Sequence, residues 1–258
     1  MSQVVVFHGS GHRAGCTMAA QSVAELIARE KKELTVLFAA LNGRTSSEFM
    51  NESAVTIDEF KIRLKSGIGV DKNVLSPDRK TGNLYIIAGI EKEEEARSFV
   101  PDMAEVLLSS LQGKFDLIIV DSGSELDSGL AFGALRANSI KYLVFEQAES
   151  SIRRYEKMND MYGKLNIEFD KFILSKYIED DPLTVNYMSS RLSINKSLFF
   201  CVAHDDRGRI SEIEHRTLLD TGSDRYRTDM LAIANDVVLA MNLEKINMKR
   251  KRIWNSFI

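Results

Sequence analysis

Val4-Val5-Val6-Phe7-His8-Gly9-Ser10-Gly11-His12-Arg13-Ala14-Gly15-Cys16-Thr17-Met18-Ala19-Ala20 is the stretch that decides the fold. An apolar run feeds a glycine-rich turn. The turn ends at Thr17 and opens a helical pattern, with Ala20, Val23, Ala24, Ile27 and Ala28 at helical spacing. Strand, glycine loop and helix N-terminus in that order are the setting of a phosphate-binding loop, whose backbone N–H groups cradle an anion. The loop form Gly-x-x-x-x-Gly-Lys-Thr nearly fits, but Cys16 stands where that form has lysine.

Working outward, 258 residues allow one large α/β domain or two small ones. At 44% hydrophobic and 28% charged, the composition suits a globular chain with a sizeable core. A net charge of −3 provides no global basic field for nucleic acid. There is no internal repeat and no Gly/Ser-rich linker. Cys16 and Cys201 form neither a disulfide framework nor a zinc spacing. With no signal peptide and no apolar run of membrane-spanning length, the expected location is the cytoplasm.

Other apolar runs follow at Leu34–Ala40, Asn83–Gly89, Phe115–Asp121, Ile140–Phe145, Phe172–Ser175 and Ser197–Val202. Runs without polar alternation suit strands buried on both faces. Helical patterns lie between them at Thr17–Lys31, Thr56–Lys65, Ser98–Leu111 and Ser150–Leu165, with a last one at Asp224–Asn242. This alternation predicts an α/β fold, a doubly wound and mostly parallel sheet flanked by helices. Ligands of such sheets sit at the carboxyl ends of the strands. The unusual motifs cluster there, after Phe7, Ala40, Val120, Phe145 and Leu174.

The order of those motifs resembles the MinD/ParA family of deviant-Walker P-loop ATPases, including its TadZ/CpaE pilus-assembly branch. The resemblance covers nearly the whole chain. Where the family has Lys-Gly-Gly-x-Gly-Lys-Thr-Thr, this chain has Gly11-His12-Arg13-Ala14-Gly15-Cys16-Thr17-Met18. Where the family's second strand ends Asp-x-Asp, it has Ala40-Leu41-Asn42. The apolar strand ending in Asp is matched by Phe115–Asp121. The Pro-Glu-x-Ser-Ser-x-Arg stretch is similar to Ala148-Glu149-Ser150-Ser151-Ile152-Arg153, and Asn-Lys-Tyr to Ser175-Lys176-Tyr177.

The resemblance implies a nucleotide site of Gly11, His12, Arg13, Ala14, Gly15, Cys16, Thr17, Met18 and Ser175. It implies ATP or ADP with Mg2+ as the ligand, the metal held by Thr17 and Asp121. It also marks what is altered. Cys16 replaces the catalytic cation, and Gly11 the signature lysine that acts across a dimer. Ala40 can neither orient water nor accept a proton. Ser175 replaces the base-reading Asn and lacks its paired donor and acceptor. Four changes at one site imply that hydrolysis is lost, so no catalytic residue is assigned, and nucleotide binding itself stays open. An alternative keeps an active ATPase with a rearranged loop, Arg13 supplying the charge. Cys16 is also open to two readings, a thiol activated by a helix N-terminus with His8 or His12 as base, or a packed, inert one. Asp121 could instead cap its own turn, and His204 reads as a solvated loop residue.

The expected organisation is one domain over residues 1–243 and a basic amphipathic tail over 244–258. Lys249, Arg250, Lys251, Arg252, Ile253, Trp254 and Phe257 combine cations with apolar anchors, the mark of an interfacial helix. The family's MinD carries a membrane-targeting tail at the same end. A tail docked on a partner, or an inert one, are the rival readings. The function expected is that of a hydrolysis-deficient spatial organiser or scaffold for an envelope machine such as a pilus. It would be a homodimer, peripheral at the inner membrane, with a further protein partner. A DNA-partitioning role is a weaker alternative, because the only dense basic run is the tail.

Overall fold

The computed structural model describes residues 2–42, 49 and 54–247. Strand β1 (Gln3–Gly9) leads through the glycine loop into α1 (Cys16–Glu30), then β2 (Val36–Ala40), the short β3 (Val55–Thr56) and α2 (Lys61–Lys65). The chain continues through β4 (Leu84–Ala88), α3 (Pro101–Leu111), β5 (Leu117–Asp121), α4 (Gly129–Arg136) and β6 (Ile140–Glu146). It closes with α5 (Glu149–Lys164), β7 (Lys171–Tyr177), α6 (Val185–Leu192), β8 (Phe199–Ala203), α7 (Gly208–Ile213), α8 (Leu218–Thr221) and α9 (Asp224–Ala240).

Among the described residues the strands form one sheet in the order β3-β4-β2-β5-β1-β6-β7-β8. Every neighbouring pair is parallel. β1 lies between β5 and β6, with Phe7 opposite Asp121 on one side and Tyr142 on the other. Strands β2 to β5 lie on one side of β1 and β6 to β8 on the other, which places a crevice at the carboxyl ends of β1, β5 and β6.

The two-residue period of β1 divides the core. Val5 and Phe7 join the layer under α1 and α9, while Val4 and Val6 join the layer under α3 and α4. A third cluster packs α5 and α6 on β6 and β7 through Ile152, Met188, Leu143 and Phe172. Ser223 accepts from the Tyr226 N–H and starts α9.

The expected strands all form, and the sheet is parallel throughout the described residues. Thr56–Lys65 divides into a 3-10 turn over Ile57–Phe60 and α2. α4, α6, α7 and α8 lie where no helix was expected. Ile246 is buried in the α1/α9 layer and exchanges hydrogen bonds with Asn235, so the folded body reaches past Leu243. The tail residues Lys249, Arg250, Lys251, Arg252, Ile253, Trp254 and Phe257 lie outside the described residues.

Candidate functional site

The loop after β1 is pinned at both sides. Gly9 N–H donates to the Gly123 carbonyl at 2.6 Å, and Ser10 N–H to the Val144 carbonyl at 2.8 Å. The Ser10 and Ser151 hydroxyls meet at 2.5 Å, tying the loop to the first turn of α5. The turn then closes with Ala14 N–H on the Gly11 carbonyl. Two residues take left-handed backbone, Arg13 at φ 58° and Gly15 at φ 84°.

Gly15 is the N-cap of α1 and offers no side chain to cap it. The N–H groups of Cys16, Thr17 and Met18 therefore have no acceptor among the described residues. Unpaired N–H groups at the positive end of a helix suit an anion. Behind the turn, Ser175 donates its hydroxyl to the Ala14 carbonyl at 2.5 Å. A Cβ on Gly15 would lie 3.5 Å from that hydroxyl oxygen, so Ser175 works as a support for the loop.

Below the loop, Asp121 is fully buried at the end of β5. Its Oδ1 accepts from the Cys16 thiol at 3.2 Å and the Gly123 N–H at 2.9 Å. Its Oδ2 accepts from the Thr17 hydroxyl at 2.6 Å and the Asn42 amide at 3.3 Å. Burial, then the charge and hydrogen bond of Asp121, hold the Cys16 thiol well above its ordinary pKa. Cys16 is thus a protonated donor and not a nucleophile. His8 gives its Nδ1 to Ser122, and burial together with Arg154 pushes its pKa down to about 3. Its companion in the loop, His12, is bound to Glu125 at 2.5 Å. Neither histidine is hydrogen-bonded to Cys16.

The remaining candidates are spread around this core. Arg13 is exposed at the loop apex. Met18 turns its sulfur to the Leu218 N–H on α8. Ala40 lies opposite Asp121 in the sheet and brings no carboxylate, whereas Asn42 does reach Asp121. His204 lies 3.0 Å from Asp206 on an exposed loop. Sequence reasoning missed Arg154, whose side chain lies against Gly11 and bonds to the Ser124 carbonyl at 3.3 Å. It also missed Glu125 as the partner of His12. Their signal in the sequence was faint: Arg154 stands three residues after Ser151, on the same helical face.

The residues present fit the phosphate part of a nucleotide. The free N–H groups of Cys16, Thr17 and Met18 are the donors that phosphate oxygens need. The fit to a metal is mixed: the Thr17 hydroxyl oxygen keeps its lone pairs while it donates to Asp121, but both oxygens of Asp121 already accept from Cys16, Gly123, Thr17 and Asn42.

No protein-family model matches the chain, and no relative is found among curated proteins. Solved structures do match. A ParA family ATPase from Chlorobium tepidum is 14% identical with a TM-score of 0.77, covering 91% of this chain and 99% of that one. The septum site-determining protein MinD from Pyrococcus horikoshii, complexed with Mg-ADP, is 14% identical with a TM-score of 0.70, covering 95% and 100%. A chain of the MinC:MinD cell division protein complex of Aquifex aeolicus is 15% identical with a TM-score of 0.72, covering 96% and 99%. At such identities the likeness is one of fold, and over nearly its whole length the chain has the MinD/ParA-like P-loop ATPase fold.

Proposed function

We propose that this chain is a spatial organiser or scaffold built on the MinD/ParA fold, whose loop holds phosphate but does not drive efficient hydrolysis. The observation that carries the reading is the saturation of Asp121 by Cys16, Thr17, Asn42 and Gly123. A metal that took Asp121 as a direct ligand would have to displace the Cys16, Asn42 or Gly123 donors, whereas the Thr17 hydroxyl oxygen keeps its lone pairs while donating to Asp121. The loop also has no lysine, and β2 ends without a carboxylate to place water. Binding to phosphate asks less, since backbone donors suffice.

The positioning part of the reading draws on the solved structures of similar fold, whose names refer to septum siting and to the ParA family. The chain would act as a homodimer in the cytoplasm, peripheral at the inner membrane through its basic tail, and serve an envelope machine such as a pilus. The test is phosphate release from Mg-ATP by the full chain. Release at the background rate is expected. Turnover that Asp121→Ala abolishes would overturn the reading and restore an active ATPase.

A further inference from the structure

The loop lacks a lysine, yet a cation lies across it. α5 docks on the loop through Ser151 and Ser10. One turn on, Arg154 falls on the same helical face and runs along Gly11. A Cβ built on Gly11 would stand 3.4 Å from Arg154 Cδ and 3.9 Å from its Nε. The arginine thus runs at ordinary van der Waals distance from position 11. Its charge is felt beneath the loop, where it helps to push the His8 pKa down.

The arginine is weakly held. Its Nη2 reaches the Ser124 carbonyl at 3.3 Å and Glu125 Oε1 at 3.5 Å, both long for charge-assisted bonds. Its side chain is 41% exposed. Glu125 Oε1 also receives His12 Nε2 at 2.5 Å, so one carboxylate oxygen lies between a loop residue and the arginine. The arginine and the helix start belong to the two ends of one loop, Arg154 against Gly11 and the free N–H groups following Gly15. A guanidinium fork matches phosphate oxygens with two parallel donors, which a lone carboxylate oxygen at 3.5 Å does not use.

We propose that Arg154 is the cation of this loop, binding the phosphate of a nucleotide, and that Glu125 is the counter-ion it releases when phosphate arrives. The proposal rests on the reading of the loop as a phosphate cradle and deepens it. Arg153 is a control within the same helix: it faces outward to Glu149 at 2.8 Å and is 69% exposed.

Calorimetric titration of the full chain with ATP, ADP and inorganic phosphate, without metal, tests it. Arg154→Gln should weaken ATP binding at least tenfold. Glu125→Gln should tighten it at least threefold, and Arg153→Gln should stay within twofold of wild type. Tight binding of ATP and ADP over phosphate identifies a nucleotide, and equal binding of all three identifies a free phosphate site. An ion pair that merely braces the surface would leave anion affinity unmoved in both variants. That result overturns the proposal, as does a failure of wild type and Glu125→Gln to bind any of the three. Should Arg154→Gln fold poorly, the Glu125→Gln titration decides alone. Turnover in wild type with ATP binding weakened in Arg154→Gln would sink the hydrolysis-deficient reading and leave this one standing. No turnover and no anion binding would sink this proposal together with the phosphate cradle it rests on, and leave only the absence of hydrolysis standing.

Discussion

Thr17 gives its hydroxyl to Asp121 across 2.6 Å, joining the first turn of α1 to the end of β5 beneath the loop. The carboxylate also takes donors from Cys16, Asn42 and Gly123. Asp121→Asn would turn an amide donor toward groups that are themselves donors. Buried bonds to a charged group contribute about 1.5–3 kcal/mol each, and an unpaired partner costs more. The expected loss is about 3 kcal/mol, which in a chain of this size lowers the melting temperature by about 6–12 °C. A urea titration measures it, and a loss under about 1 kcal/mol would show that Asp121 does not hold the loop down.

Cys16 occupies the first position of α1 with its thiol held protonated against Asp121. Cys16→Lys would place an ammonium between Asp121 and the free N–H groups. ATP should then bind at least tenfold more tightly, about 1.4 kcal/mol. Phosphate release should remain at background, because Ala40 and Gly11 are unchanged. An unaltered ATP affinity by calorimetry would mean that a lysine at position 16 adds nothing to the charge the site already has.

Much of this site is legible in the amino-acid sequence. The apolar run into Gly9–Gly15 and Thr17 names the strand, loop and helix, because backbone cradles depend on local glycine geometry. Asp121 was legible as the end of the strongest apolar run. What pairs with what was not. Arg154 and Gly11 meet only because α5 docks through Ser151, a relation between residues 143 positions apart in the chain. Arg153, not Arg154, was the residue that the motif drew attention to. The Asn42 amide came into reach of Asp121 only through the register of β2 on β5.

The missed helix α4 has a specific cause. Its sequence Gly-Leu-Ala-Phe-Gly-Ala-Leu-Arg carries two glycines, which lower local helix propensity. Both face backbone at close quarters: a Cβ on Gly129 would lie 2.1 Å from the Phe99 carbonyl oxygen, just before α3, and one on Gly133 2.2 Å from the Pro101 carbonyl oxygen. Gly133→Ala should therefore destabilise the chain by about 1–3 kcal/mol, overpacking outweighing the gain in propensity. Gly163→Ala in α5, where a Cβ meets nothing within 4 Å, should instead stabilise by about 0.5–1 kcal/mol. Paired thermal melts test the opposite signs, and two changes of the same sign would refute the account.

The membrane reading is tested by a cut after Asn247, which keeps the buried Ile246 in place. The removed segment holds Lys249, Arg250, Lys251 and Arg252, each adding about 1 kcal/mol near an anionic leaflet. The full chain should sediment with vesicles rich in anionic lipid, less so at high salt, and the shortened chain should stay in the supernatant. Equal sedimentation of both would remove the membrane role of the tail.

His8 sets a pH dependence whose sign follows from its lowered pKa. Burial first, and Arg154 second, push it from 6.5 in the unfolded chain to about 3 in the folded one. Between those values the unfolded chain binds the proton and the folded chain does not. Stability should thus fall as pH drops from about 6.5 toward 3, by at most about 1.4 kcal/mol per pH unit from this group. Above pH 6.5 the two states bind His8 protons alike and the effect vanishes. His8→Gln should flatten the slope in urea titrations taken across that window. Arg154→Gln should flatten it partly, because it removes the second cause and lets the folded-state pKa rise. A slope unchanged in both variants would place the acid sensitivity on the carboxylates instead.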